Sequence, residues 1–193
     1  MQSWEVLPGV PLRSAGDLTV QFISLGIADF RTAARYVHHL PYGRNSDRSD
    51  FTLVLRERRG TCSTKHALLA RLASEQDIPI VLTLGIYEMD HRNTPGVGSV
   101  LEKYRLSYIP EAHCYLTYEG GRIDVTRSGV EPVEPIDRFL YEETITPEQI
   151  GEYKVELHQR FLRNWVSRGA PTGDRSWEEI WKIREECIAA LSQ

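Results

Sequence analysis

The sequence predicts an α+β fold: a buried helix packed on an antiparallel sheet, with further helices at the C-terminal end. Three stretches predict it. Residues 67–70, 72 and 73 form a wide apolar stripe at helical spacing, which marks a largely buried helix. Residues 112–118 and 122–126 are strand-like runs on either side of Glu119-Gly120-Gly121, a tight hairpin turn. Beyond residue 145, two apolar-faced segments each carry a helix-start signal.

The chain has 193 residues, of which 41% are hydrophobic, enough for one core with helical additions. Residues 1–145 read as the main domain, with 55–127 as its motif region, and 146–193 as a helical extension packed on it. A net charge of -4 gives no reason to expect nucleic acid or an anionic membrane surface as partner. No run approaches the roughly 18 apolar residues of a membrane span, and the first eight residues lack a signal-peptide pattern. Three widely spaced cysteines, at 62, 114 and 187, argue against a disulfide framework and for free thiols in a reducing cytoplasm.

In chain order, residues 1–17 read as an extended lead-in, because Gly and Pro punctuate them. Phe30, Ala33, Ala34 and Val37 share one face of a helix that ends before Pro41 and is expected to pack on the helix after Cys62. Residues 38–50 form a polar loop. It is either a cleft wall, with Tyr42 or Asn45 as oxyanion donors, or a solvated connection. Phe51 to Leu55 is a short apolar run leading to Arg58 and Arg59, which either attract an acidic substrate or solvate an edge. Residues 78–87 predict a central strand with Pro79 at its start. Residues 89–99 make a long loop, either a lip over the site or a plain insertion, and residues 100–104 a short helix.

After Asp124 the chain turns through Pro132 and Pro135. Thr146-Pro147-Glu148-Gln149 then starts a helix with Ile150, Tyr153, Leu157, Phe161 and Trp165 on its apolar face. Ser176-Trp177-Glu178-Glu179 starts another, with Trp177, Ile180, Trp181, Ile188 and Leu191 behind it. Both faces are expected to be core, with an oligomer interface as the alternative. Cys114 and Cys187 read as core residues.

The chemistry centres on Cys62. It opens the buried helix, where unpaired amides and the macrodipole favour thiolate, the reactive form. Gly60 permits a sharp turn and close backbone approach, and Thr61 or Ser63 can cap the helix. His113 on the first hairpin strand and Asp124 on the return can sit on neighbouring strands, as a base and its orienter do.

Gly60-Thr61-Cys62 at a helix start, the apolar helix, Asp77-Ile78-Pro79 before a strand, His113 in the next strand and Asp124-Val125-Thr126 closing the hairpin together resemble the transglutaminase-like superfamily. The resemblance covers roughly residues 55–127. It implies a papain-like arrangement with Cys62, His113 and Asp124 as catalytic triad, acting on amide or acyl bonds through a thioester, by hydrolysis or transfer. It further implies a protein or peptide substrate and requires no cofactor. Two positions depart from the pattern: His66 stands where a small residue is usual, and Arg122 where an aromatic is.

Other readings of these residues remain open. Cys62 can be a small buried hydrophobe with His113 and Asp124 paired structurally, leaving a catalytically silent binding module. Cys62, His66 and His113 supply three zinc ligands, one fewer than a structural site uses, since Cys114 points to the other sheet face. Lys65 and His66 either line the cleft and depress the thiol pKa or are structural.

Overall fold

The computed structural model describes residues 3–14, 16–127 and 134–191. Among them lie seven α-helices and a four-stranded antiparallel sheet, a mixed α/β chain. The strands are β1 (Val81–Met89), β2 (Ile109–Tyr118), β3 (Gly121–Ile123) and β4 (Tyr141–Thr144), in the order β3-β2-β1-β4. Pro132 lies outside the described residues. The chain divides into two compact units: Met1–Leu84, Cys114–Ser128 and Glu143–Gly151 form the first, and Gly85–His113, Gly129–Glu142 and Glu152–Gln193 the second.

The first unit is built on α4 (Cys62–Glu75), which starts at the cysteine as the sequence predicts. Leu68, Leu69 and Leu72 are fully buried. Against α4 packs α2 (Phe30–His39), whose Phe30, Ala33, Ala34 and Val37 are each 0% exposed. Asp29 caps α2 by accepting from the Thr32 backbone N–H at 2.8 Å. Residues 53–57 form a short helix, α3 (Leu53–Glu57), that ends on Arg58 in the left-handed region at φ 53°.

The lead-in is more regular than the sequence suggests. Ser3–Val6 is a 3-10 turn, and α1 (Asp17–Ser24) follows. Nothing local caps α1, since Gly16 at its start has no side chain. The cap comes from Glu75, at the far end of α4, whose carboxylate accepts from Thr19 N–H at 2.9 Å and Thr19 Oγ1 at 2.7 Å.

The hairpin has the expected turn, with Glu119 at φ 48° and Gly120 at φ 76° and Tyr118 opposite Gly121. Its return strand is shorter than predicted, ending at Ile123. Past that point the backbone groups bond elsewhere: Val125 N–H goes to His66 Nε2, Thr126 N–H to Asp124 Oδ1, and Thr126 O accepts from Lys65. Asp124 therefore sits just beyond β3.

In the second unit, α5 (Gly98–Lys103), α6 (Glu152–Ser167) and α7 (Trp177–Ala190) accompany residues of β1 and β2. The Ser176–Glu179 capping box forms as predicted. The Thr146–Gln149 box, which belongs to the first unit, also forms, but it opens a 3-10 turn, Pro147–Ile150, which ends at Gly151 before α6 begins. A Cβ at Gly151 would come within 2.7 Å of Ser49 Cβ. On α6 the buried positions are Lys154, Leu157, His158 and Leu162, while Tyr153 is 38% exposed. The buried face is thus rotated from the predicted one and includes the polar residues Lys154 and His158. On α7, Ile180, Ile183, Arg184, Cys187 and Ile188 are buried. Cys187 packs as expected, and burial pushes its thiol up to about 12.

Candidate active site

Cys62 is the first residue of α4 and 9% exposed, next to Ser63, whose Oγ is 3.8 Å from its Sγ. Thr61 precedes the helix in extended conformation, and its N–H donates to Thr64 Oγ1 at 3.0 Å. Gly60 lies alongside Tyr42 in a parallel bridge, donating its N–H to Pro41 O and accepting from Gly43 N–H. The reason for glycine here is space. A Cβ would stand 2.9 Å from Lys65 Cγ and 3.0 Å from both Thr64 Oγ1 and Val54 Cγ2.

Asn45 belongs to this entrance as a brace. Its Nδ2 donates to Glu57 Oε2 at 3.1 Å and to Arg59 O at 3.0 Å, and its Oδ1 accepts from Thr64 Oγ1 at 2.8 Å. Both amide hydrogens are committed, which leaves Asn45 none for an oxyanion. Ser46 Oγ and N–H also bind Glu57, and those bonds, with Asn45 and Arg59, hold the Glu57 carboxyl down at about 2. Arg59 pairs with Glu57 at 3.5 Å. Tyr42 presents its ring to the Arg127 guanidinium, 5.4 Å from the centroid.

The two residues three and four places after the cysteine hold the Asp124 segment. Lys65 is fully buried and does not line a cleft. Its ammonium donates to Leu40 O at 2.6 Å, Thr126 O at 2.9 Å and His38 O at 3.5 Å. Burial, aided by Arg127 and opposed by Asp124, brings its pKa down to about 8.

His66 is also fully buried. Its Nε2 receives the Val125 N–H at 2.8 Å, and an amide N–H can only donate, so Nε2 carries a lone pair. Its Nδ1 lies 2.7 Å from Cys62 O, and a carbonyl can only accept, so Nδ1 carries the hydrogen. The ring is a neutral Nδ1–H tautomer. Nε2 also stands 3.6 Å from Asp124 Oδ1, and in this tautomer that approach is not an ion pair.

His113 belongs to the second unit, at 6% exposure on β2. Tyr87 meets its ring edge-on, with centroids 5.9 Å apart at 73°. The Tyr87 hydroxyl in turn lies 2.8 Å from Thr94 Oγ1. Thr94 belongs to the 89–99 loop, which is internally bonded: Asp90 Oδ1 accepts from Arg92 and Asn93 N–H, and Asn93 Nδ2 donates to Glu88 O. Phe139 lies against Tyr87 and fills the space a side chain at Gly85 would need.

Cys62 and Asp124 thus share one unit, linked through Lys65 and His66, and His113 stands in the other with Tyr87. Cys114 is fully buried. Among the described residues no group of three or more His, Cys, Asp or Glu side chains is placed to hold a metal ion. No helix among them is long and apolar enough to cross a membrane. The bridging roles of Lys65 and His66 are not signalled by residue type. The spacing of Cys62 and His66, four apart on a helix, is the available clue, because it returns the ring to the first turn's carbonyl. Comparison with known protein families, curated proteins and solved structures finds no match to this chain.

Proposed function

We propose that the protein is a transglutaminase-like thiol enzyme with a Cys62-His113-Asp124 triad, working on amide or acyl bonds of a protein or peptide. One observation carries the reading: Cys62 opens α4, and that same helix grips the backbone on the C-terminal side of Asp124 through Lys65 and His66. A thiol used only as packing needs no such link.

In the proposed reaction His113 takes the Cys62 proton, and the thiolate attacks the substrate carbonyl carbon. The amide N–H of Cys62, at the start of α4, donates to the developing oxyanion. His113 returns the proton to the leaving amine as the C–N bond breaks, which leaves a thioester on Cys62. Water or an amine, deprotonated by His113, then attacks the thioester and releases Cys62. Asp124 fixes the imidazole orientation and stabilises the imidazolium. A cytoplasmic setting suits this chemistry, since a reducing compartment keeps the thiol free.

The test is alkylation of each cysteine against pH, read by mass spectrometry, in the unaltered protein and in His113→Ala. The expected result is that Cys62 reacts well below the ordinary thiol value of about 8.5, that Cys114 and Cys187 do not, and that His113→Ala removes the difference. A Cys62 that behaves like the other two overturns the proposal and leaves a binding module.

A further inference from the structure

The imidazole of His66 occupies a position that neither packing nor acid–base chemistry explains by itself. It is fully buried, one ring nitrogen bonds the carbonyl of Cys62, and the other bonds the amide of Val125, the residue after Asp124. One side chain thereby spans the backbone of the first triad residue in the chain and the backbone next to the last. Its length sets their separation within the unit.

From this bridge we infer that His66 is a positioning residue, a rigid spacer that fixes Asp124 relative to Cys62. The inference rests on the catalytic reading above, because it gives the spacing a purpose. An imidazole suits such a role because it is planar and its two nitrogens are held at a fixed distance. As the Nδ1–H tautomer it donates on one side and accepts on the other.

Three features hold the ring and the segment it bonds in place. Protonation would place an N–H at Nε2 directly against the Val125 N–H and break that bond. Lys65, its neighbour on α4, ties down the next carbonyl, that of Thr126, so the segment is held at two successive residues. Asp124 Oδ1 accepts from Thr126 N–H at 2.8 Å, which orients the carboxylate on the backbone that His66 and Lys65 hold. The chain that fixes the Asp124 carboxylate thus begins at the first turn of the cysteine's helix.

Two substitutions separate the halves of the bridge. His66→Gln brings an amide oxygen to the place of Nε2 and can still receive Val125 N–H. His66→Asn keeps an N–H near the place of Nδ1 but is too short to reach Val125. The measurement is the pH profile of Cys62 alkylation in both variants, alongside the unaltered protein and His113→Ala. His66→Gln, which keeps the Val125 half of the bridge, should stay closer to the unaltered profile than His66→Asn. His66→Asn should slow Cys62 alkylation near pH 6 by about tenfold or more, as the profile moves toward that of an ordinary thiol.

If His113→Ala moves the profile and His66→Asn does not, the spacer role is overturned and the catalytic reading stands. If neither moves it, both fall. If the Asn variant does not fold, ring-nitrogen NMR of the unaltered protein decides. A neutral Nδ1–H His66 from about pH 5.5 to 8.5, with a slowly exchanging Val125 amide, supports the spacer. A His66 that takes up a proton in that range, or a fast Val125 amide, overturns it.

Discussion

Lys65 Nζ donates to the carbonyl of Thr126 at 2.9 Å, which joins the first turn of α4 to the residue two beyond Asp124. The three carbonyls around this ammonium match its three hydrogens, yet no carboxylate bonds it directly. Solvation is replaced by carbonyl dipoles with only the more distant Asp124 charge to help, and the ammonium is held at a cost.

That cost predicts a pH dependence. Burial lowers the Lys65 pKa from 10.5 to about 8, so between those values the unfolded chain binds the proton and the folded one does not. Stability then rises with pH across this window. The gain is present in full above 10.5 and lost as pH falls to about 8, and amounts to about 3 kcal/mol. Urea unfolding at pH 8 and pH 10.5 should show this increment in the unaltered protein and not in Lys65→Met.

Gly60 supplies a second prediction. Its φ is not in the left-handed region, so alanine is excluded by contact alone, with Lys65 Cγ, Thr64 Oγ1 and Val54 Cγ2 all at 3.0 Å or less from the added carbon. Gly60→Ala should destabilise by about 1–3 kcal/mol, the usual cost of overpacking. Because Lys65 and Thr64 are the residues displaced, it should also loosen the Asp124 segment, seen as faster amide exchange at Val125. A variant with unchanged unfolding midpoint and exchange would show that the neighbours yield freely.

The sequence makes α4, α2, the hairpin turn and the α7 cap legible because each is specified within a few residues: an apolar period, Asp29 before Phe30, Gly120, and Ser176 with Glu179. What stays hidden depends on partners far along the chain. The cap of α1 is Glu75, 57 positions from Leu18, so no local signal announces that helix. The early end of β3 follows from His66 and Lys65 taking the backbone of residues 125 and 126. Asn45 reads as an available donor because nothing in its loop reveals that Glu57, Arg59 and Thr64 already engage it. At the candidate site the residue types at 62, 113 and 124 are readable, whereas the function of His66 needs the positions of two backbone groups.

The second unit offers a test of buried charge. Arg184 bonds Glu111 through Nε at 2.6 Å and through Nη2, with both side chains nearly excluded from water. Burial pushes the Glu111 carboxyl up, but Arg184 outweighs it and keeps it below its ordinary value. Removing one partner strands a buried charge, so Arg184→Ala should cost about 3–5 kcal/mol, whereas the apolar pair Glu111→Leu with Arg184→Met should recover most of it. Urea midpoints of the three proteins decide. A double variant as unstable as the single would show that the pair carries structure beyond its own charges.

His158 lies beside this pair, its Nε2 2.8 Å from Pro110 O and its ring 5.2 Å from that of Trp181. Burial lowers its pKa from 6.5 to about 4, with Arg184 and Lys154 acting in the same direction and Glu111 against it. Between those values the unfolded chain takes up a proton that the folded one refuses. The stability this contributes is present above 6.5 and is lost as pH falls toward 4, a decline of about 3 kcal/mol. Replacing His158 with Gln keeps an N–H for Pro110 and removes the titration. Unfolding curves at pH 7 and pH 4.5 should converge for His158→Gln relative to the unaltered protein. Equal declines in both would place the acid sensitivity in the carboxylates and show that His158 is accessible to protons in the folded state.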